Sequence, residues 1–599
     1  MSATLPGTPF RPWFGAGVRD DGRTVFRFWA PALAAVTLEI EGQPSIAMSP
    51  GSQGVFEAVA DCGPGARYRY RIGADLAVPD PASRLQASDV HGASVVVGDD
   101  DYPWRHPEWR GRPWQETVAC EVHAGLMGGY AGIERRLAQW ADLGVTAIEL
   151  MPIADFPGAR NWGYDGVLPY APERSYGTPE ALKRMIDAAH GLGLMVFLDV
   201  VYNHFGPEGN YLSRYAPDFF RGDCQTPWGP AIDFRVPQVR RYFAESALHW
   251  LTAYRFDGLR LDAVHAIADP DWPAELAAFL RREIGAGRRI HLMLEHDGNA
   301  AGLLERGFDA QWNDDGHHVL HHLLTGEAEG YYADYAQRPA DKLARCLAEG
   351  FVYQGEASAY RDGERRGAPS GHLPPTAFML FLQNHDQVGN RAQGERLIAL
   401  TGEDSPALRA AVALQLLAPQ IPLLFMGEEW GALTPFLYFT GYDDAELATA
   451  IRDGRRREFA SFPAYARPEQ QAAIPDPNDE GTYRRCFMPD PSGDGRARRW
   501  HDHYRALLGI RRRELMPRLA GARSEGAQAL GPAAVAARWR LGDGALLALH
   551  VNLDRRDCPC EPLPAGPACL FETGPGVRRA LEGGNLPAGS LAATLEPAS

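Results

Sequence analysis

Short apolar runs alternate with longer amphipathic stretches from about residue 116 to residue 430. The runs have the length of buried strands, and the stretches between them carry apolar residues at helical spacing. A strand followed by a helix, repeated along the chain, is typical of a parallel sheet. The pattern therefore predicts an α/β fold of the (β/α)8 TIM-barrel type, with long inserted loops at residues 201–240 and 427–495. The predicted strands cover residues 118–123, 146–151, 194–200, 258–262, 291–295, 308–312, 376–383 and 421–426.

The chain on either side of this region shows the period-two alternation of β-strands. Residues 24–29 and 66–72 alternate between apolar and polar side chains, with Gly and Pro turns between them. Near the C-terminus, residues 533–541 and 545–553 flank a Gly-Asp-Gly turn, which predicts a hairpin. At 599 residues the chain is too long for a single core. We predict a β-sandwich at 1–105, the barrel at 106–515 and a second β-sandwich at 516–599.

Charge and composition narrow the functional classes. The formal net charge of −16 argues against nucleic acid as a partner, because phosphate binding needs concentrated Lys and Arg. No apolar run approaches the ~20 residues that span a bilayer, so no membrane partner is expected. Residues 1–9 lack a basic segment followed by an apolar one, so no secretory leader is predicted. We therefore expect a cytoplasmic protein with reduced thiols.

Three carboxylates stand at or just after the ends of predicted strands: Asp262, Glu295 and Asp386. The carboxyl ends of parallel strands form the active face of a barrel. A pair of carboxylates in one cleft is the equipment for breaking a glycosidic bond. Any one of these acids alone is explained equally well as a helix cap or the partner of an Arg. Three of them at strand ends favour a shared site.

The spacing of these acids suggests a role for each. Asp262 follows Arg260 by two residues, so both side chains point to one face of the strand. The guanidinium would keep Asp262 ionised, as a nucleophile requires. Glu295 would be the general acid and then the base, which needs a raised pKa. Asp386 would hold sugar hydroxyls and stabilise the oxocarbenium-like transition state.

Other side chains near these strand ends have two interpretations. His204 follows a strand and either donates a hydrogen bond to a sugar or is a satisfied core histidine. Trp162 offers a face for sugar stacking, but aromatic residues are more often core mass. The histidines at 317, 318, 321 and 322 have helical chelating spacing without an HExxH motif, so we predict no metal site.

Four segments resemble, in order, the four barrel motifs of the α-amylase family of glycoside hydrolases (family 13): residues 199–204, 258–262, Glu295 and 384–386. Residues 199–212, 312–315, 324–327, 329–335, 425–430 and 435–439 are similar to a trehalose-releasing branch of that family. The resemblance implies an immunoglobulin-like N-terminal domain, related to carbohydrate-binding modules. It also implies hydrolysis of the α-1,4 bond next to the terminal trehalose of a malto-oligosyltrehalose. Configuration would be retained through a glycosyl-enzyme on Asp262, without a cofactor.

The resemblance also implies a set of sugar-binding residues. Tyr164, His204, Arg260 and His385 would surround the glucose that becomes attached to the enzyme. Additional substrate-binding positions would be Trp162, Asp165, Trp312 and Asn384. The implied partners are the malto-oligosyltrehalose substrate and, as a pathway partner without a stable complex, a malto-oligosyltrehalose synthase.

Four positions depart from the pattern of that branch: Leu126, Gly298, Gly316 and Gly441. Gly298 stands where an Arg is usual, and Gly316 stands where an aromatic residue is usual. The three acids are intact, so the departures bear on recognition of the leaving group rather than on hydrolysis.

Two other functions remain open from the residues. A glycogen branching or debranching enzyme of the same family would release no trehalose, or would attack α-1,6 bonds. A maltodextrin-binding protein on an inactive barrel would bind the sugar and leave it uncut. The complete set of Asp262, Glu295 and Asp386 favours an enzyme.

Overall fold

Eight parallel strands close into a barrel in the computed structural model of the chain. The structure describes residues 13–98, 102–460, 462–564 and 566–598; residues 1–9, on which the prediction of no leader rests, lie outside them. All eight predicted strands are confirmed, with bounds slightly shorter than the apolar runs. We number them β1 (Ala119–Val122), β2 (Ala147–Leu150), β3 (Met195–Val200), β4 (Gly258–Leu261), β5 (His291–Leu294), β6 (Ala310–Trp312), β7 (Phe378–Leu380) and β8 (Ile421–Phe425).

The barrel interior changes from apolar to charged along the strands. Side chains two positions apart face the same side of a strand. The lower interior is filled by Ala119, Ala147, Met195, Phe197, Met293, Ala310, Trp312, Met379, Phe381, Ile421 and Leu423. Two positions further toward the carboxyl ends stand the buried Glu121, Glu149 and Asp199. An apolar floor thus supports a charged layer at the end where barrel enzymes keep their chemistry.

Helices and short inserted elements surround the strands. The helices of the chain are Gly129–Glu134, Leu137–Leu143, Pro179–Gly191, Pro237–Ala253, Trp272–Ile284, Ala301–Leu304, Asp314–Thr325, Pro339–Glu349, His385–Gly389, Leu397–Thr401, Pro406–Leu417, Ala445–Phe459, Pro468–Ala472, Glu480–Arg484, Gly495–Ile510 and Val577–Glu582. Three hairpins rise from the loops, pairing Ala154–Asp155 with Leu168–Pro172, Phe220–Thr226 with Gly229–Ile232, and Glu356–Ala357 with Arg365–Arg366. Within the described residues, no helix combines the length and apolar character needed to cross a bilayer.

Two antiparallel sheets lie ahead of the barrel. One contains Gly15–Val18, Thr24–Trp29, Ser49–Pro50 and Val55–Ala60; the other contains Val36–Ile40, Ile46–Ala47, Arg67–Ile72, Leu76–Val78 and Ser94–Val95. Phe28 of the first sheet stacks on Tyr70 of the second with ring centres 4.3 Å apart. The buried Glu245, on the helix Pro237–Ala253, joins this sandwich to the barrel because its Oε2 accepts hydrogen bonds from the backbone N–H groups of Trp13 (2.7 Å) and Phe14 (3.3 Å).

A five-stranded antiparallel sheet follows the barrel and packs on the helix Pro406–Leu417. Its strands, in spatial order, are Arg523–Gly531, Ala534–Arg540, Leu546–Asn552, Ser590–Glu596 and Ala568–Glu572. The second and third strands are the hairpin predicted from the sequence. A small two-stranded sheet, Cys558–Pro559 with Asn585–Leu586, lies beside it.

Candidate active site

Arg260 connects two of the three predicted catalytic acids. The side chain is fully buried on β4; Nη1 donates to Asp262 Oδ1 and Nη2 donates to Glu295 Oε2, each at 2.8 Å. Nη1 also contacts both carboxylate oxygens of Asp199, at 2.9 and 2.8 Å. Sharing one guanidinium keeps the carboxyl groups of Asp262 and Glu295 close. This favours the separation of a retaining pair, about 5–5.5 Å, over the wider gap of about 6.5–9.5 Å in inverting enzymes.

The turn after β4 places Asp262 against Glu295. Ala263 has φ +39°, in the left-handed region that non-glycine residues rarely adopt, and its backbone N–H donates to Glu295 Oε2 at 3.0 Å. Asn203 Nδ2 donates to Asp262 Oδ2 at 3.1 Å. Strained backbone of this kind persists only where the surroundings hold it, and it clusters at functional sites.

Burial separates the protonation states of the two acids. Burial, together with the negative charges of Asp262 and Asp386, raises the pKa of Glu295 to about 7, against the opposing effect of Arg260. Burial also raises the pKa of Asp262, and the Arg260 guanidinium counteracts that rise. The predicted effect of Arg260, which favours the ionised form of Asp262, is therefore opposed by burial. A pKa of about 7 lets Glu295 hold a proton near neutral pH, as the general acid of a retaining pair must.

His385 connects Asp386 to an acid that the sequence did not single out. Its Nδ1 lies 2.5 Å from Glu121 Oε1, its backbone N–H donates to Glu121 Oε2 at 2.9 Å, and its Nε2 lies 3.4 Å from Asp386 Oδ1. Burial favours the neutral imidazole, but the charges of Glu121 and Asp386 outweigh it and raise the pKa of His385. The imidazolium in turn overcomes the burial of Asp386 and lowers its pKa. A glutamate inside the otherwise apolar run of β1 is the sequence signal that could have identified Glu121.

A tight turn brings Tyr164 into the charged layer. Gly163 has φ +105°, and a Cβ there would lie 2.1 Å from the carbonyl oxygen of Pro152, so the turn requires glycine. Tyr164 Oη donates to Asp199 Oδ2 at 2.7 Å, and its ring stacks on that of His385 with centres 5.0 Å apart. The adjacent Asp165 accepts a hydrogen bond from Asn161 Nδ2 at 2.6 Å.

Three predicted substrate-binding residues, Trp162, Asn384 and Trp312, are buried and make contacts with protein groups. Trp162 is buried and donates from Nε1 to the carbonyl of Leu437 at 2.9 Å. Asn384 is buried and caps the helix that follows it by accepting from the N–H of Gln387 at 3.1 Å. Trp312 belongs to the apolar floor, with its ring 4.1 Å from the guanidinium carbon of Arg260. All three contact protein groups in or next to the site.

His204 makes the contacts of a satisfied core histidine, and a hydrogen bond from it to a sugar stays a prediction. Its Nε2 lies 3.0 Å from the Tyr164 carbonyl and its Nδ1 lies 2.6 Å from Asn203 Oδ1, so both ring nitrogens have protein partners. Trp228, an exposed residue that the sequence reasoning missed, stacks on this imidazole with ring centres 4.5 Å apart. The stack places an exposed aromatic ring beside the charged layer, where it is available to a sugar.

A cavity of about 250 Å³ opens beside Glu295 and Asp386. Burial and the charges of Glu295 and Asp386 raise the pKa of Asp314 in its wall to about 8, against the effect of Arg366. Apart from Glu295 and Asp386, the residues that line this cavity were not predicted as site residues. Some of them lie in segments 312–315 and 329–335, which carried the family resemblance. The other lining residues are Asp297, His318, Tyr331, Asp334, Tyr335, Tyr360, Arg361, Gln387 and Asn390.

Three of the four clustered histidines, His317, His318 and His321, pack around Tyr332, and each has a further partner. His317 Nδ1 lies 2.7 Å from the carbonyl of Leu382, and His321 Nε2 lies 2.8 Å from Glu327 Oε2. His318 faces Tyr331 with ring centres 4.6 Å apart. Across the part of the chain that the structure describes, no group of three or more His, Cys, Asp or Glu side chains is arranged to hold a metal ion.

Comparison with known proteins agrees with this geometry. The model of the alpha-amylase catalytic domain matches residues 99–219, and the model of a domain of unknown function, DUF3459, matches residues 522–593. A malto-oligosyltrehalose trehalohydrolase of Deinococcus radiodurans is 40% identical over 508 residues, which cover 84% of this chain and 82% of the relative. The chain belongs to the malto-oligosyltrehalose trehalohydrolase family. The family resemblance seen in the sequence, within the α-amylase glycoside hydrolases, is thereby confirmed.

Other relatives place the chain within this family and its fold. A trehalohydrolase of Saccharolobus solfataricus is 39% identical and covers 74% of this chain and 80% of its own length. A crystal structure from Salmonella typhimurium, described as a putative alpha amylase, is 40% identical with a TM-score of 0.90, covering 98% of this chain and all of that one. A branching enzyme of Corynebacterium jeikeium is more distant, at 33% identity over 71% of this chain and 63% of its own. The branching alternative is therefore the weaker one.

Two of the departures from the trehalohydrolase pattern now have a structural context. Next to Gly298, Arg361 comes from a different loop, and its Nη2 donates to Asp297 Oδ2 at 2.8 Å. A Cβ on Gly316 would point at Leu380 Cδ1, 2.7 Å away, inside the packed barrel. A larger side chain at 316 would have to displace Leu380, and the effect of Gly316 on the leaving group stays a prediction.

Proposed function

We propose that the chain hydrolyses the α-1,4-glucosidic bond next to the terminal trehalose of malto-oligosyltrehalose, releasing trehalose and a shortened maltodextrin. The observation that carries this proposal is the single Arg260 guanidinium bonded to both Asp262 and Glu295, with the pKa of Glu295 raised to about 7. The names of the relatives supply the substrate class. The pathway partner, a malto-oligosyltrehalose synthase, and the cytoplasmic location stay predictions from the sequence.

The first half of the reaction breaks the glycosidic bond. Asp262 Oδ attacks the anomeric carbon while Glu295 gives its proton to the departing glycosidic oxygen. Trehalose leaves with that proton, and the maltodextrin stays on Asp262 as a glycosyl ester. The ionised Asp386, held by the His385 imidazolium, stabilises the positive charge that develops on the sugar ring.

The second half releases the maltodextrin. Glu295, now ionised, takes a proton from a water molecule, whose oxygen attacks the anomeric carbon. The bond to Asp262 breaks, and both acids return to their starting states. Arg260 remains bonded to both carboxyl groups throughout, so it holds the pair in place as charge passes from one to the other.

The cavity beside Glu295 is assigned to the trehalose leaving group. The proton donor must face the departing oxygen, so the sugar next to Glu295 is the one that leaves. Tyr331 and Tyr360 offer apolar faces there, while Arg361 and Asp314 offer polar atoms. Such contacts determine orientation and specificity more than the chemistry itself.

Product analysis tests the proposed function. The purified chain is incubated separately with maltopentaose and with maltotriosyl-trehalose, and the products are resolved by chromatography. We expect free trehalose from the second substrate while the first is nearly untouched. Equal cleavage of both substrates, or longer branched products, would assign the chain to the broader maltodextrin-active enzymes instead.

The pH dependence of kcat/KM should reveal the two acids. Activity needs a protonated Glu295, so kcat/KM is expected to fall as the pH rises through about 7. Activity also needs an ionised Asp262, whose raised pKa moves the acidic limb above the ordinary Asp value of about 3.9. Asp314→Asn removes another carboxyl of the cleft, one whose pKa is raised to about 8, and should leave the basic limb in place. A basic limb that disappears in Asp314→Asn would transfer the assignment from Glu295 to Asp314.

Arg361 is expected to contribute to selection of the leaving group. Arg361→Ala removes a charged hydrogen-bond donor from the cavity wall, a contact worth about 1.5–3 kcal/mol. We expect kcat/KM for maltotriosyl-trehalose to fall about 10- to 100-fold, with a much smaller change for maltopentaose. Arg365→Ala, an exposed change on the same hairpin, is the matched control. Equal losses on both substrates would mean that Arg361 supports the loop rather than the leaving group.

A further inference from the structure

Asp315 is a fully buried carboxylate that the proposed reaction does not use. It stands in the first turn of the helix Asp314–Thr325, within the segment 312–315 that carried the family resemblance. Its side chain is not among those that line the cavity beside Glu295 and Asp386, so it does not contact a sugar bound there. Any effect of Asp315 on the reaction therefore has to pass through the residues that it holds.

The Oδ2 atom of Asp315 joins two loops that are distant in the chain. It accepts hydrogen bonds from Asn299 Nδ2 at 2.8 Å and from the backbone N–H groups of Val352 (2.7 Å) and Tyr353 (3.0 Å). Asn299 follows Glu295 by four residues and has φ +57°, in the left-handed region that non-glycine residues rarely adopt. Asp315 thus ties the loop after the proton donor to the chain around Tyr353.

The Oδ1 atom of Asp315 holds the hairpin that ends at Arg366. Arg366 Nη1 donates to it at 2.6 Å, and Tyr335 Oη donates to it as well. The same guanidinium donates from Nε to the carbonyl of Asp297. Burial opposes the ionised form of Asp315, but the charge of Arg366 and the hydrogen bonds outweigh it and lower the pKa. The carboxylate therefore stays charged, with both oxygens free to accept from all of these donors.

The hairpin held in this way carries two side chains of the cavity wall. Tyr360 and Arg361 lie between its two strands, and both line the cavity. Arg361 and Arg366 converge on one residue, because Arg361 Nη2 donates to Asp297 Oδ2 at 2.8 Å and Arg366 Nε donates to its carbonyl. Loss of the Asp315 carboxylate would break the ion pair of Arg366 at the base of the hairpin. Tyr360 and Arg361 would then shift together.

We propose that Asp315 is a positioning residue for recognition of the leaving group. It acts through Arg366 to hold Tyr360 and Arg361 in the cavity wall, and it takes no part in bond breaking. This proposal rests on the proposed function, in which trehalose occupies that cavity. It places part of the leaving-group specificity in a buried carboxylate that the sugar does not touch. A displacement of about 1 Å caused by a change far from the chemistry can cost roughly 100-fold in rate, so the effect is measurable.

Asp315→Asn tests the proposal on two donors with different leaving groups. The amide keeps the size of the side chain but removes the charge and replaces one accepting oxygen with an NH2 group. We expect kcat/KM for maltotriosyl-trehalose to fall about 10- to 100-fold, mainly through KM, while kcat/KM for α-maltosyl fluoride, whose leaving group is too small to fill the cavity, falls less than about threefold. The ratio of the two values does not depend on the fraction of folded chain, so a merely structural role would leave it unchanged. Trehalose, added as an inhibitor of fluoride hydrolysis, should show a Ki raised about tenfold or more.

Arg366→Lys is a second variant that keeps a positive charge beside Asp315. A lysine ammonium lacks the planar fork that reaches both Asp315 and the carbonyl of Asp297. It should therefore shift the same ratio in the same direction, and the double variant should lose about as much as Asp315→Asn alone. The matched control is Asp341→Asn, an exposed Asp that pairs with Arg338, which should leave the ratio unchanged.

The outcomes separate this proposal from the proposed function. Equal losses on both donors in the two variants, with the Ki of trehalose unchanged, overturn the positioning role of Asp315. Losses that add in the double variant overturn the route through Arg366. Wild-type products from maltopentaose and maltotriosyl-trehalose are resolved in parallel. A wild-type chain without preference for maltotriosyl-trehalose refutes the proposed function, whereas a preference that both variants retain refutes only the role of Asp315.

Discussion

Glu295→Gln is expected to lower kcat by about 10²- to 10⁴-fold, the range that a general acid–base group contributes. The amide keeps the shape of the side chain, and its oxygen can still accept from Arg260 and from the Ala263 N–H. The change therefore removes proton transfer rather than the architecture of the pair. We expect the affinity for maltotriosyl-trehalose, measured by calorimetry, to change little while turnover collapses.

The leaving group gives this prediction a sharper test. A glycosyl donor whose leaving group needs no protonation, such as a fluoride, should lose much less activity in Glu295→Gln than the natural substrate does. The matched control is Glu305→Gln, an exposed acid that pairs with His372. Turnover near wild type in Glu295→Gln would remove Glu295 from the role of proton donor.

Local sequence patterns predicted the parts of the site that depend on strand periodicity. Asp262 directly follows β4 and shares a face with Arg260, which stands two positions earlier on that strand. Glu295 follows the neighbouring strand, which pairs in parallel with β4, so the two acids were expected at the same end of the barrel. The eight strands were predictable for the same reason, since each is a short apolar run between helical stretches.

Contacts between distant segments were not predictable in this way. Glu121 meets His385 across 264 positions in the chain, and only barrel closure, in which β1 pairs with β8, brings Glu121 to the segment that follows β7. Arg361 reaches Asp297 from a hairpin whose path depends on the fold around it. The loss of an arginine at Gly298 was inferred from the segment around residue 298 alone. That segment does not show that Arg361 reaches Asp297 from another loop.

The direction of a side chain was the second kind of information missing from the sequence. Trp162 stands in a motif next to Tyr164, yet Tyr164 reaches the charged layer while Trp162 is buried behind it. The glycine between them turns the chain at φ +105°, so adjacent aromatic residues point to different surroundings. Motif membership therefore does not specify which residues contact a sugar.

Asp262→Asn is expected to abolish the covalent intermediate. An amide is a poor nucleophile. The substitution also removes one of the negative charges beside Arg260, whose remaining ionisable partners are Asp199 and Glu295. A fluorinated glycosyl donor, which forms the ester quickly and releases it slowly, should add one glycosyl mass to the wild-type chain. In Asp262→Asn the mass spectrum should show no such adduct.

Asp386→Asn distinguishes loss of the nucleophile from general damage to the site. Asp386 is bonded to His385 and Asn390 and is proposed to stabilise the transition state, so its amide variant still has the attacking carboxylate. We expect the adduct to form in Asp386→Asn, but slowly, and peptide mapping should locate it on Asp262. An adduct in Asp262→Asn at the wild-type rate, mapped to another residue, would contradict the assignment of the nucleophile. Because Asp262 and Asp386 belong to one charged network, only the position and rate of labelling separate attack from stabilisation.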